Sequence, residues 1–285
     1  MSVGDIRDVG LDQLHALSIA VGWPHRAEDW QFLREIGRGI VAVDEIGRVL
    51  GSAMWFPYRA DFSTVGMVIT SPRLQTQGTG QWLMRHVFSE LPRRDLRLNA
   101  TRAARRLYLS LNFKPEKMVF QCQGTARLSE RPRDERPDGE IKALEAGDLD
   151  AVIACDAAGY GVERAILIRM LFEQSSGYGL FRDGQLCAFA FCRPFGRGHV
   201  VGPAVASNDT DAIAVVAPHV AQHAGHFLRL DTHQDNSEFA TFLSQSGMPV
   251  YDTVLTMSLG KRLADFADEK TKAPATYALA SQALG

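Results

Sequence analysis

Residues 66–91, GMVITSPRLQTQGTGQWLMRHVFSEL, constrain the fold more than any other stretch of the chain. Met67, Val68 and Ile69 form a short apolar, strand-like run that ends at Ser71-Pro72, where proline removes an N–H and fixes φ, so ladder pairing cannot continue. From Gln81 the apolar positions Leu83, Met84, Val87, Phe88 and Leu91 fall on one wide helical face. Gly78 and Gly80 remove two β-carbons where that helix begins. First-turn amides have no intrahelical acceptor and the helix dipole adds partial positive charge, so this strand, glycine loop and helix form an anion cradle open to a diphosphate.

Two common phosphate binders are excluded. A P-loop needs Gly-Lys-Ser/Thr, and Gly80 is followed by Gln81-Trp82. A dinucleotide fingerprint needs a third glycine and an acid about 20 residues on, and neither is present. The stretch instead resembles the acyl-CoA motif of the GNAT N-acetyltransferase superfamily, Gln/Arg-x-x-Gly-x-Gly/Ala after the fourth strand, matched by Gln75-Thr76-Gln77-Gly78-Thr79-Gly80. A second motif lies downstream. Ala104-Arg105-Arg106-Leu107-Tyr108-Leu109-Ser110-Leu111-Asn112-Phe113 resembles the family pattern Ala-x-x-Leu-Tyr-x-x-Leu-Gly-Phe, departing in Asn112, a residue that tolerates the left-handed cap conformation.

The resemblance implies a chemistry and assigns it to residues. Acetyl-CoA is the expected co-substrate, with its pyrophosphate on Gln75, Thr76, Gln77, Gly78, Thr79, Gly80 and Gln81. Its pantetheine arm would pair with the backbone of Met67, Val68 and Ile69, and the Val68 N–H would polarise the thioester carbonyl. Tyr108, a phenol protonated at neutral pH, would return a proton to the leaving thiolate, and Asn99 would bond the cofactor's amide arm. No general base is singled out: the strand Phe62-Ser63-Thr64-Val65-Gly66 holds no acid, which leaves Asp61, His25, Glu28, Asp29 or a water relay.

Ahead of the cradle, residues 5–8 read as a first strand and Leu11, Leu14, Leu17 and Ile19 as a helix broken at Gly22-Trp23-Pro24-His25. A second helix carries Trp30, Phe32, Leu33 and Ile36. In GNAT-like proteins these helices wall the acceptor site, so Trp23, His25 and Trp30 are candidate substrate contacts, with core packing as the alternative for the tryptophans. Residues 39–44 and 49–56 form a hairpin, and the strand through residues 62–70 feeds the cradle.

Residues 126–140 are charged and interrupted by proline, as in a surface linker, and the chain beyond them repeats the first half. Leu228-Arg229-Leu230-Asp231-Thr232 echoes Leu96-Arg97-Leu98-Asn99-Ala100. The repeat lacks the chemistry: Ser207-Asn208-Asp209-Thr210-Asp211 has no glycine pair and starts acidic, and no tyrosine replaces Tyr108. The expected architecture is therefore α/β (an α+β mixed sheet), with two tandem GNAT-like lobes, each a central mixed β-sheet flanked by helices. Residues 1–126 form the catalytic, acetyl-CoA-binding lobe, 127–139 a linker, 140–262 a degenerate lobe, and 263–285 an irregular or partly helical tail. Asp156, Tyr160 and Arg164 are speculative acceptor contacts near the start of the second lobe.

At 285 residues the chain suits two domains, and 46% hydrophobic residues supply two cores. A net charge of −2 argues against a nucleic-acid binder, although Arg85, Arg93, Arg94, Arg97, Arg102, Arg105 and Arg106 crowd one region. Four cysteines without a C-x-x-C pair imply no disulfide framework, and His219, His223 and His226 on an apolar helix imply packing, so no metal is expected. No signal peptide or membrane span is apparent, which suggests a cytoplasmic protein with no membrane partner. The expected activity is acetyl-CoA-dependent N-acetyl transfer, within the acyltransferases moving groups other than aminoacyl, to a primary amine, a small molecule before a protein. A non-catalytic acyl-CoA sensor is the alternative, and a homodimer is compatible with the sequence.

Overall fold

The computed structural model describes residues 1–75, 77–128, 137–262 and 274–285. Thr76, the middle of the expected linker and residues 263–273 of the expected tail lie outside the described residues. The first half runs β1 (Ser2–Asp5), α1 (Leu11–Ala20), α2 (Ala27–Ile36), β2 (Arg38–Val43), β3 (Val49–Pro57), β4 (Phe62–Thr70), α3 (Thr79–Glu90), β5 (Asp95–Ala100), α4 (Arg105–Ser110) and β6 (Lys114–Thr125). The second half repeats that order as β7 (Glu140–Ala143), α5 (Leu149–Tyr160), α6 (Ala165–Gln174), β8 (Ser176–Arg182), β9 (Gln185–Phe195), β10 (Gly198–Ala206), α7 (Asp209–Gln222), β11 (Phe227–Thr232), α8 (Glu238–Gln245) and β12 (Val250–Leu259). One further strand, β13 (Ala275–Ala278), has no counterpart in the first half. The first strand falls earlier than its sequence suggests, because Asp5 caps a single 3-10 turn over residues 6–8 by accepting from the Arg7 N–H.

All the described strands join one mixed sheet in the order β1-β2-β3-β4-β5-β12-β6-β11-β10-β9-β8-β7, with β13 paired to β10. The lobes exchange their last strands. β12 lies antiparallel on β5 of the first lobe, β6 lies antiparallel on β11 of the second, and β6 and β12 pair with each other between them. Each lobe therefore completes its sheet with a strand from the other, which joins two small cores into one folding unit.

The cores follow from the sequence patterns. Leu83, Met84 and Val87 of α3, and Leu91 at its C-cap, are buried against Trp55, Val65, Leu96 and Leu98 of the sheet. Asn112, with φ of 66°, ends α4 in the left-handed conformation, and Gly247, φ 83°, stands just past the end of α8. Ala126 and Arg127, read as the start of a surface linker, are held by the second lobe: the Arg127 N–H donates to Ser246 O at 3.0 Å and Ala126 O accepts from Gly225 at 2.8 Å.

The largest departure from expectation is the segment 274–285. It is a strand followed by a tight turn, with residues 278–280 and 284 fully buried or nearly so. Arg193 Nη2 donates to Ala280 O at 2.7 Å, Arg164 Nη1 to Gly285 O at 2.7 Å, and the Tyr58 hydroxyl to Leu284 O at 2.6 Å. Arg164 is itself fixed by a fully buried, two-bonded ion pair with Asp156 at 2.8 and 3.0 Å. Asp156 and Arg164, expected near an acceptor, thus clasp this segment instead.

Candidate active site

β4 and β5 run parallel and pair only over Phe62–Thr64 and Asp95–Arg97, after which they splay. Just beyond the fork β4 carries a bulge: its register against β3 gains one residue between Gly66 and Ile69, and Met67 sits at φ 50°. A left-handed, non-glycine residue inside a strand costs about 1–3 kcal/mol and persists where its surroundings hold it. Here the Ser52 hydroxyl donates to Met67 O at 2.7 Å.

A cavity of about 300 Å³ opens at this bulge, and Met67, Val68, Asn99, Tyr108, Trp23 and His25 all line it. Its other lining residues come from both lobes and from residues 281–283. The site is thus built at the junction of the lobes. Sequence reasoning missed Gln123, Phe195, Arg229, Gln282 and Ala283; the echo of Leu96–Ala100 in Leu228–Thr232 marked Arg229's strand but not its partners.

Tyr108 is buried and its ring meets Phe113 edge-on at 5.7 Å. Burial pushes its phenol pKa above the usual value, so the hydroxyl stays protonated. Asn99 lines the cavity with its carboxamide already engaged: Nδ2 donates to Gln282 O at 2.8 Å and Oδ1 accepts from Thr256 at 2.7 Å. Gly66 is required by the same segment, because a β-carbon there would stand 2.6 Å from Ala283 Cβ.

Several expected contacts lie elsewhere. Trp30 has no exposed surface and spends its indole N–H on Ser18 Oγ at 2.8 Å, so it is core. Tyr160 packs with Phe62 and Val162 beneath the Arg164 guanidinium, 3.8 Å above its ring, and does not line the cavity. The Ile69 side chain points into the core under β4, which leaves the backbone role expected of it untouched. Arg97 is buried over the Phe62 ring at 5.0 Å, so the arginine-rich stretch is not one surface patch.

Of the four candidate bases, His25 alone lines this cavity. Burial, then the nearby Arg229 charge, lowers its pKa to about 4, so the imidazole is neutral at physiological pH, and Nδ1 has no hydrogen-bond partner. Asp29 is committed to Arg26 at 2.8 Å and to the Gly196 N–H at 3.0 Å, Asp61 stands beside Arg59 at 3.6 Å, and Glu28 lines a neighbouring cavity.

The cradle residues Gln75, Gln77, Gly78, Thr79, Gly80 and Gln81 lie beyond the other end of β4, outside the cavity lining. Gly78 is exposed and caps α3 at φ 81°, and the first intrahelical bond is Trp82 N to Gly78 O at 2.9 Å. The earlier amides of the turn therefore face outward. The two glycines serve different needs: Gly78 supplies the positive φ, whereas a β-carbon on Gly80 would come within 3.0 Å of Leu107 on α4.

Acetyltransferase (GNAT) domain family models match residues 35–115 and, separately, residues 152–270. The chain belongs to the GNAT superfamily. Among its relatives is the uncharacterized N-acetyltransferase YitH of Bacillus subtilis (strain 168), 24% identical and aligned over 93% of this chain and 91% of that protein. The GNAT fold is shared with a Pyrococcus horikoshii protein provisionally assigned as an acetyltransferase, at a TM-score of 0.79 and 16% identity over 100% of this chain and 95% of the other. It is shared also with a tandem GNAT protein of the clavulanic acid biosynthesis pathway, at a TM-score of 0.62 and 15% identity over 90% and 98%. Membership carries the general activity of acyl-CoA-dependent N-acetyltransferases. The first lobe fits such a donor: an open wedge beyond Thr64, a bulged strand beside the cavity, and outward amides at Gly78–Gln81.

The second GNAT lobe does not. β10 and β11 also pair for only three residues, to Val201 and Leu230, and β10 bulges at Gly202-Pro203, but its wedge is filled by β13. Ala204, which closes the β10 bulge as Ile69 closes that of β4, pairs with Ala278, and the Leu279 N–H donates across to Asp231 O on β11 at 2.8 Å. At the head of α7 the Asp209 carboxylate accepts from the Tyr277 hydroxyl and the Phe239 N–H, both at 2.9 Å. No helix among the described residues is long and apolar enough to cross a membrane.

Proposed function

We propose that the protein moves the acetyl group of acetyl-CoA to a primary amine of a small molecule, using the first lobe, residues 1–126, as the catalytic one. The thioester supplies an activated acetyl carbonyl that the amine attacks directly, through a tetrahedral intermediate. The observation that carries the reading is the convergence on one cavity of the bulged Met67-Val68 backbone and the buried Tyr108 hydroxyl.

Each residue then has a task. The amides of Gly78–Gln81 hold the pyrophosphate at the start of α3, and the β4 edge beyond the fork pairs with the extended arm. The Val68 N–H, re-aimed by the bulge, is the oxyanion donor. Tyr108, kept protonated by burial, is the general acid toward the thiolate. His25, neutral and lining the cavity, takes the amine's proton directly or through water. A cavity of about 300 Å³ favours a small acceptor over a folded protein surface.

Calorimetric titration with acetyl-CoA followed by thiol release over a panel of amines tests this. One saturable site with release for some amine is the expected result. Saturable binding with no release would make the protein an acyl-CoA sensor, and no binding would end the reading.

A further inference from the structure

The cavity's end farthest from the bulge carries hydrogen-bond donors that no described residue uses. Arg229 on β11 and Gln123 on β6 are direct cross-strand partners, so their side chains share one face with β-carbons about 4.5–5.5 Å apart, and both line the cavity. Arg229 is 6% exposed, and it gives Nε and Nη2 to Asp231 at 3.2 and 2.8 Å. Its Nη1 donates to no described residue.

A chain of amides leaves Gln123 in the same condition. Gln282 Nε2 donates to Gln121 Oε1 at 3.2 Å, and Gln121 Nε2 donates to Gln123 Oε1 at 2.8 Å. The oxygen of Gln123 is thereby used, and its Nε2 has no acceptor among the described residues. Two adjacent donors with no acceptor, one on a guanidinium, suit a planar anion with two oxygens.

Arg193, beside the same segment, bonds only carbonyls among the described residues, those of Gly202 and Ala280. Arg229 alone is bonded to the Asp231 carboxylate, and the carboxylate whose charge acts most on Arg193 is that of Asp29. At the rim Arg197 and Asp252, both exposed, offset each other.

Distance decides what kind of acceptor could reach this end. β4 and β11 are four steps apart in the strand order, about 19 Å along the sheet at ~4.8 Å per step, less the reach of the arginine side chain. An amine placed at Val68 and an anion placed at Arg229 therefore cannot share one carbon.

We propose that Arg229 and Gln123 form a carboxylate-binding subsite, so that the acceptor is a primary amine carrying its carboxylate several bonds away. This rests on the acetyl-transfer reading above. An ω-amino acid has the required form, with its methylene chain running past Phe195, over whose ring Arg229 lies at 5.6 Å.

The test is thiol release by the full chain, at saturating acetyl-CoA, with glycine, β-alanine, aminobutanoate, aminopentanoate and aminohexanoate, each beside its neutral amide. The longer carboxylates should exceed their amides in kcat/KM by about ten- to a hundredfold, the worth of a hydrogen bond to a charged group. In the double variant Arg229→Gln/Asp231→Asn, which removes both members of the ion pair and leaves no bare buried carboxylate, the ratio should fall toward one. Equal rates for acids and amides in the unmodified protein would overturn the subsite while leaving acetyl transfer standing, and so would a ratio that survives in the double variant. If no amine releases thiol, the transfer reading fails, and the subsite is judged by thermal shift: stabilisation by aminohexanoate and not by its amide supports it, and equal or absent shifts overturn it.

Discussion

The first and second lobes share one order of elements, one fork between parallel strands and one bulge past that fork, yet their wedges hold different things. Between β4 and β5 the bulged backbone faces a cavity; between β10 and β11 it faces β13 of the same chain. The parallel extends to the phosphate end. α3 begins with a left-handed glycine and no acid in its first turn, whereas α7 begins with Asn208 accepting from the Asp211 N–H, and with Asp209 holding Tyr277. A carboxylate stands where, on the proposed reading, the first lobe offers amides to a phosphate, and a peptide strand stands where it would offer an edge to pantetheine. The second lobe is stabilised by a built-in ligand, and that ligand continues into residues 281–283, part of the wall of the first lobe's cavity.

The strongest way to break this comparison is to substitute matched positions. Tyr108→Phe should keep acetyl-CoA binding and lower kcat by about 10²–10⁴-fold, the usual contribution of a positioned general acid. Leu243, at the equivalent place on α8, should accept Met with little change in kcat, because no hydroxyl acts there. Unchanged turnover in Tyr108→Phe would remove the general-acid role. Two acetyl-CoA sites per chain by calorimetry would show that β13 does not close the second wedge.

The next largest effect is at the clasp. Arg164→Gln leaves Asp156 buried and unpaired and should cost about 3–5 kcal/mol in denaturant unfolding. It should also raise the acceptor KM more than it changes acetyl-CoA affinity, since Leu284 and Gly285 lose their anchor beside the cavity. A loss within about 0.5 kcal/mol, as at an exposed surface site, would mean the segment is not held from there. Tyr277→Phe is the milder probe. It removes one hydrogen bond to the Asp209 carboxylate, worth about 1.5–3 kcal/mol, and should leave acetyl-CoA affinity unchanged.

These tests target features that the sequence revealed unevenly. The β4 to α3 unit was legible because its signals are local: a strand-like run, Pro72, a glycine needing positive φ and an amphipathic face. The exchange of β6 and β12 was not, because either strand's alternation would fit either neighbouring edge, and pairing is chosen by contacts more than a hundred residues apart. Trp23 and Trp30 looked alike in the sequence, and only the position of Ser18 across the helix pair makes one core and leaves the other at the cavity. The burial of segment 274–285 does not show in its sequence because its apolar residues, Ala275, Tyr277–Ala280, Ala283 and Leu284, are too few to show a period. Their burial comes from a wedge that sequence alone does not display.

The smallest effect separates the lobes by pH. His25 in the first lobe and His219 in the second both have pKa values lowered to about 4, each chiefly by burial. His219 has Nε2 on Ala190 O at 3.1 Å and an unpartnered Nδ1. An unfolded histidine takes up its proton near pH 6.5, so between there and pH 4 the unfolded chain binds more protons than the folded one. Stability should be flat in this respect above pH 6.5 and fall as pH drops toward 4, by at most about 1.4 kcal/mol per pH unit for one such group. His219 has no exposed surface, while His25 keeps part of its ring exposed at the cavity. His219→Gln should therefore remove more of the acid slope than His25→Gln, as read from unfolding midpoints at several pH values. The reverse order would mean that the first lobe's cavity is the drier of the two environments, and a dry, closed cavity is not one that an amine and its carboxylate could enter.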